Sequence, residues 1–152
     1  SHSRDEVYQM CSDTVIMHQG MIETLGKTKE IFDNPGTVNA ARLTGCKNIS
    51  EIEILGNRKI LAKDWNIVLN TNVDVDISIK YVGVRAHDFN FDKGDNEFTA
   101  KVINTVESLF ENVYILEVAG GKKNIWLKRS NEINTEIGSK VFVNSESLML
   151  LK

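Results

Sequence analysis

Phe98-Thr99-Ala100-Lys101-Val102-Ile103 alternates apolar and polar side chains for most of its length, the period of a strand buried on one face. The same texture extends in both directions. Candidate strands recur at Ile49–Leu55, Lys59–Ala62, Asn66–Leu69, Ile77–Arg85, Phe98–Val106, Val113–Val118, Asn124–Lys128 and Val141–Leu151. Between them stand turn-forming clusters, Gly56-Asn57, Asn70-Thr71-Asn72, Lys93-Gly94-Asp95-Asn96 and Gly120-Gly121-Lys122-Lys123. Helical periodicity is absent from Ile49 onward. Many short strands at close spacing predict a small barrel or sandwich.

Upstream the texture changes. Ser3-Arg4-Asp5-Glu6 places a serine three residues before a glutamate, the spacing of a capped helix start. Val7, Met10 and Cys11 follow at i, i+3 and i+4, which predicts an apolar stripe on a short helix. Thr14-Val15-Ile16-Met17 reads as a buried strand, His18-Gln19-Gly20 as a turn, and Met21–Gly26 as the returning arm of a hairpin. Thr28–Phe32 reads as a short helix ended by Asn34-Pro35-Gly36. Val38–Leu43 reads as another, stopped near Gly45. Charge draws no boundary: residues 1–48 carry five basic and six acidic side chains, and residues 49–152 carry thirteen and fifteen.

The 152 residues fit one ordinary domain or two very small ones, and their composition, 41% hydrophobic and 26% charged, is globular. No run approaches the roughly 18 apolar residues of a transmembrane helix, and the polar start Ser1–Glu6 lacks the apolar core of a signal peptide. A net charge of −3 argues against a general nucleic-acid binder. Cys11 and Cys46 are the only cysteines, so the expectation is no disulfide framework and a reducing cytoplasm. With His2, His18 and His87 far apart, no metal site is expected.

Motifs for self-contained catalysis are missing. Gly20-Met21-Ile22-Glu23-Thr24-Leu25-Gly26-Lys27-Thr28 imitates a phosphate-cradling loop, but five residues separate its glycines where that loop has four. Those five are apolar and strand-like, unsuited to aiming several N–H groups at phosphates. There is no Gly-x-Ser-x-Gly, Cys-x-x-Cys or His-Glu-x-x-His. The expectation is a protein that acts by recognition.

Ser1-His2-Ser3-Arg4-Asp5-Glu6-Val7, followed by Cys11–Ile22, resembles the end of an ABC-transporter ATPase domain. Gly26-Lys27-Thr28-Lys29-Glu30-Ile31-Phe32-Asp33-Asn34-Pro35 resembles that family's G-x-x-x-E-[IV]-[FY]-x-x-P ending. Ile79–Asp88 is similar to the G-[IV]-R-P-E strand of the transport-associated OB (TOBE/Mop-type) domains that follow importer ATPases, with Ala86-His87 replacing Pro-Glu. Phe98–Val106, Val113–Lys128 and Gly138–Val143 are similar to the later strands. The wording of Ser1–Val7 and of Thr44-Gly45-Cys46-Lys47-Asn48 looks most like the molybdate or tungstate importers.

The resemblance implies a mainly β chain: an OB-like β-barrel over residues 46–152, preceded at 1–45 by a short α/β tail of an ABC nucleotide-binding domain. It implies a fragment, whose phosphate-binding loop, signature and acidic metal-binding strand lie upstream. ATP and Mg would then be cofactors of the parent and not of this chain. His2 takes the place of the parent's switch histidine, inactive without those parts. Cys46, Lys47 and Asn48 stand where oxyanion-binding relatives carry S-x-R-N, and Ser145 and Ser147 where they carry K-A-S-S. There the lysine is lost and Glu146 is gained, which would repel an anion. Implied partners are a second copy of the subunit, membrane permease subunits at the inner face of the cell membrane, and a small oxyanion. The alternative is a structural spacer or dimerisation module of a sulfate-like importer. A nucleic-acid-binding OB domain is a remote third, opposed by the negative charge.

Overall fold

The computed structural model of the chain describes residues 3–133 and 136–152. Helix α1 (Arg4–Met10) starts where the serine–glutamate spacing places it: Ser3 is extended and its Oγ accepts a long, 3.4 Å hydrogen bond from the Glu6 N–H. The expected stripe is not buried. No α1 residue is buried and Met10 is 83% exposed, because the helix leans outward on one aromatic contact, Tyr8 edge-on to Phe32 at 5.2 Å. Strands β1 (Asp13–His18) and β2 (Met21–Lys27) form the expected hairpin. Gln19 and Gly20 both have positive φ, 52° and 78°, which suits a tight two-residue turn to the strand twist. Only Ile16 of the hairpin is buried, so the expectation of a buried strand holds for one residue. One sheet face packs on helices while Val15, Met17, Ile22 and Leu25 stay exposed.

Helices α2 (Thr28–Asp33) and α3 (Val38–Leu43) follow as expected. Thr37 caps α3 by accepting from the Ala40 N–H at 3.1 Å. Its hydroxyl donates to Glu23 Oε2 at 2.9 Å, and Asn39 Nδ2 donates to the same oxygen at 3.1 Å, tying α3 to the hairpin. The two alanines of α3 look opposite ways. Ala40 packs with Ile16 and Ile31, whereas Ala41 packs with Cys46, Ile49, Met149 and Leu151.

The remainder is all β. Strands β3 (Asn48–Gly56), β4 (Lys59–Ala62), β5 (Ile67–Asn70), β6 (Tyr81–Val84), β7 (Asn96–Thr99), β8 (Lys101–Glu107), β9 (Glu111–Glu117), β10 (Ile125–Ser130), β11 (Lys140–Val143) and β12 (Met149–Leu151) pair antiparallel throughout. They form sheets of order β12-β6-β3-β4-β5, β10-β9-β8 and β11-β7. The chain is therefore mainly β and consistent with an OB-like domain. Its ladders fall into small sheets, and no single ladder closes a barrel among the described residues.

Three predicted strands are shorter or broken. Ile77–Arg85 contributes only β6, because the Asp76 carboxylate accepts from the Ser78 N–H at 2.8 Å and the Asp76 carbonyl from the Ile79 N–H at 3.0 Å, which makes a turn. Phe98–Val106 breaks at Ala100, whose N–H donates to the Ser139 carbonyl at 2.8 Å and so carries the pairing of β7 with β11 one residue further before the chain crosses to the other sheet. On either side β7 pairs with β11 and β8 with β9, a strand passing from one sheet to another. Val141–Leu151 becomes β11, a 3-10 turn at Ser145–Ser147 and β12, again in different sheets. All three of these sheets close on one core that includes Ile60, Leu69, Val82, Phe98, Leu116, Leu127 and Val141. Trp65, Phe89 and Phe98 stack edge-to-face through its centre, at 6.1 and 5.9 Å between rings.

Candidate functional site

The expected oxyanion residues do not converge. Cys46 is 3% exposed, and its thiol donates to the Asn48 carbonyl at 3.4 Å. Burial pushes the Cys46 thiol pKa up, so the sulfur stays protonated and apolar. Asn48, also buried, holds two sheets together: its Nδ2 donates to the Trp126 carbonyl at 2.7 Å and its Oδ1 accepts from the Trp126 N–H at 2.8 Å. Both polar ends of the amide are thereby used within the fold. Ser145 meets a carboxylate, its N–H donating to Asp95 Oδ1 at 2.6 Å and its hydroxyl to Oδ2 at 2.5 Å. The hydroxyl bond holds the Asp95 carboxyl below its ordinary pKa. An arriving anion would have to displace a bound one. Ser147 lines a different cavity from Lys47, and His2 lies outside the described residues.

Two cavities flank the junction between the tail and the β region. The larger, about 830 Å³, runs between α1–α2 and the Ser145–Ser147 turn, and Asp5, Asp33, Asp88 and Glu146 face it with Arg4 and Arg85. Burial raises the Asp88 pKa, against the opposing pull of His87 and Arg85. This cleft is acidic and does not suit a dianion. The smaller, about 220 Å³, is lined by Arg4, Lys47, Arg85 and Lys128, with His87, Trp126 and small neighbours, and no carboxylate among its lining residues. Lys47 is the one expected oxyanion residue that reaches it, with its ammonium 4.7 Å from the Trp126 ring centre.

Arg85 dominates the wall between the cavities. Its guanidinium donates to the Thr44 carbonyl at 2.8 Å, the Phe32 carbonyl at 2.5 Å and Thr44 Oγ1 at 3.1 Å. Thr44 Oγ1 in turn donates to the Ala40 carbonyl at 2.8 Å. One cation thus satisfies carbonyls at the ends of α2 and α3, where helices leave them unpaired. In the sequence Arg85 stands out only as a letter in a strand motif. Its position right after β6, bonded to the helix ends, depends on Thr44 and Phe32, each more than forty residues away.

Met21–Lys27 is a strand paired with β1, so its N–H groups do not form a phosphate cradle. Among the described residues no three His, Cys, Asp or Glu side chains gather to hold a metal ion, and no helix is long and apolar enough to cross a membrane.

No protein-family model matches the chain. Individual proteins do. The molybdate/tungstate import ATP-binding protein WtpC of Pyrococcus abyssi is 29% identical over 153 residues, covering 95% of this chain and 43% of that protein. The spermidine/putrescine import ATP-binding protein PotA of Mycoplasma mycoides is 28% identical over 131 residues, 84% of this chain and 36% of its own. A 35-residue stretch is 49% identical to the methionine import ATP-binding protein MetN of Chlamydia caviae, 23% of this chain and 10% of that importer subunit. The homologues of this chain are ATP-binding subunits of ABC importers. The chain spans less than half the length of each of these importer subunits. The named cargoes differ, so likeness to importer subunits is common to all three relatives and the cargo is not.

Proposed function

We propose that this chain is the C-terminal regulatory portion of the ATP-binding subunit of an ABC importer, with an ATPase-domain tail over residues 1–45 and an OB-like regulatory domain over 46–152. The parent hydrolyses ATP with Mg, works as a homodimer against membrane permease subunits on the cytoplasmic face, and drives import of molybdate or tungstate. Similarity to the molybdate/tungstate subunit along 95% of the chain supports that cargo. Within the parent, the β region acts by contact. It reports its own state to the ATPase domain through the tail.

The observation that carries this reading is Arg85, a β-region cation whose hydrogen bonds end on Phe32 and Thr44 of the tail. Charged hydrogen bonds to partly buried carbonyls are worth about 2 kcal/mol, enough to bias which arrangement the junction holds. Exposed apolar side chains on the β8-β9-β10 sheet and its tip, Val106, Leu109, Phe110 and Trp126, support the homodimer contact. The test is Arg85→Gln. Hydrogen exchange in α1 and α2 should rise while the β core stays protected, and the full-length subunit should lose any effect of its cargo on ATP hydrolysis. Unchanged exchange in the tail would show that Arg85 does not couple the two regions.

A second reading, oxyanion sensing by the β region, is supported by the basic recess beside Lys47.

A further inference from the structure

We propose that two copies of this chain join through β8, edge to edge and antiparallel about Asn104, with the hairpin tip of each copy seated in an apolar groove of the other. The inference rests on the homodimer of the proposed function and deepens it, naming the strand, the register and the groove.

β8 is the open edge of its sheet. The order β10-β9-β8 leaves one side of Lys101–Glu107 without a partner strand among the described residues. The Thr105 N–H donates to the side-chain oxygen of its neighbour Asn104 at 2.9 Å, a local substitute for such a partner. An unpaired edge is a template for another strand, and sheets guard theirs with charge, proline or a cover. Here the charges stand only at the two ends, Lys101 and Glu107, while Ile103 and Val106 between them are exposed. A bulge between Val102 and Asn104 shortens the flat run, so strand pairing alone is brief and needs a second contact.

The charges select a second copy as the occupant. A strand with a cation at one end and an anion at the other complements its own reverse. Centring an antiparallel pair on Asn104 brings Lys101 of each copy beside Glu107 of the other, whereas a parallel alignment in register sets lysine on lysine. Neither side chain has an ion pair within the chain among the described residues. The same alignment carries the tip of one hairpin to the base of the other. At the tip Leu109 and Phe110 are 82% and 78% exposed. Their turn is pinned: Asn131 Nδ2 donates to the Ser108 and Leu109 carbonyls at 3.0 and 3.1 Å, and the Asn131 N–H to the Phe110 carbonyl at 3.0 Å. Apolar groups presented on a fixed turn lose little freedom when they are covered. At the base lies a groove of about 620 Å³, with Ala100, Val102, Val118 and Ile137 among its walls. Leu109 and Phe110 of the second copy fill it, and one twofold axis repeats the exchange on the other side.

The experiment is sedimentation equilibrium of the whole chain up to sub-millimolar concentration, with disulfide trapping alongside. Wild type should form a dimer and nothing larger. Leu109→Ser combined with Phe110→Ser should weaken association by about tenfold or more, and the distant Lys122→Gln should match wild type, each with a wild-type circular dichroism spectrum. On a Cys11→Ser background, Asn104→Cys should give a covalent dimer on mild oxidation, because residues facing each other across antiparallel strands lie within disulfide reach. Glu53→Cys on β3, far from the axis, should not. A monomer at every concentration overturns the proposal, and so does growth beyond a dimer. A dimer that ignores the tip variants or fails to link through Asn104→Cys places the contact on another face and overturns it equally. Any of these failures leaves the importer-subunit reading standing, because Arg85→Gln tests that reading within a single copy.

Discussion

The tail and the β region bury their apolar side chains in different ways. Residues 3–45 enclose only Ile16, Ile31 and Ala40 in a cluster of their own. Meanwhile Val15, Met17, Ile22 and Leu25 stand on the open hairpin face, and Met21 is 74% exposed at the turn. Residues 46–152 close every sheet on one continuous core with no exposure at Leu116, Ile125, Leu127 and Val141. The contrast has a thermodynamic meaning. A cluster of three side chains does not offset the entropy of ordering some forty residues, so the tail is held chiefly by what it leans on. Some of that support is in view: Arg85, and the Ala41 face of α3 against Cys46, Ile49 and Leu151. On the proposed function, the remaining ATPase domain covers the open hairpin face.

The largest test of this contrast is a matched pair of cavities. Leu127→Ala removes a fully buried side chain from the β core and should lower global stability by about 3 kcal/mol in urea denaturation. Ile31→Ala should instead raise hydrogen exchange in the hairpin and α2 and leave the main urea transition within error. Equal losses in the two variants would mean that the tail and the β region unfold as a single cooperative unit.

Next in size is the clamp between sheets. Asn48→Leu keeps the branched outline but leaves the Trp126 N–H and carbonyl without their buried partners. The expected cost is about 2–3 kcal/mol in the same denaturation assay. A near-neutral result would mean that β3 and β10 are held together by side-chain packing alone.

Two pH effects are smaller and of opposite sign. Burial raises the Asp88 pKa, so the folded state holds that proton more tightly than the unfolded chain does. The contribution is fully present below the ordinary aspartate pKa of about 3.9 and is lost as pH rises through the raised folded value. Asp88→Asn should therefore gain stability relative to wild type across that rise; thermal melts at successive pH values measure it, and a constant difference would contradict the burial argument. Asp95 runs the other way. Its pKa is held down by the Ser145 hydroxyl, so its contribution exists above the ordinary value and disappears as pH falls through the depressed one. In Ser145→Ala the Asp95 carboxyl carbon should titrate at higher pH by NMR.

How much of this is legible in the chain depends on how far apart the interacting residues lie. The Ser3 cap, the Gln19-Gly20 turn, the Asn34-Pro35-Gly36 stop and the alternation around Phe98 are written within a few neighbouring residues, and they can be read there. The breaks at Ala100 and at Ser145–Ser147 cannot. In each case a strand-like run is shared between two sheets whose partner strands lie far along the chain: β7 pairs with β11 before Ala100 and β8 with β9 after it, and the Asp95 carboxylate captures the Ser145 N–H between β11 and β12. The site divides in the same way. Lys47 is recognisable as a cation in a suggestive stretch, and it does face a basic recess. Asn48 looks like an anion donor but proves to be a cross-sheet clamp, because its partner Trp126 lies 78 positions along the chain.

By itself the sequence determined the local grammar: where helices start, where hairpins turn, which runs alternate, and that the chain is mainly β. Only the tertiary structure decided which cations share a cavity, which polar groups are already used, and which apolar face stays open. Local choices follow from backbone sterics and near-neighbour hydrogen bonds, which a few residues specify. Electrostatic and packing environments sum over segments brought together by folding, and no short stretch of chain contains that sum.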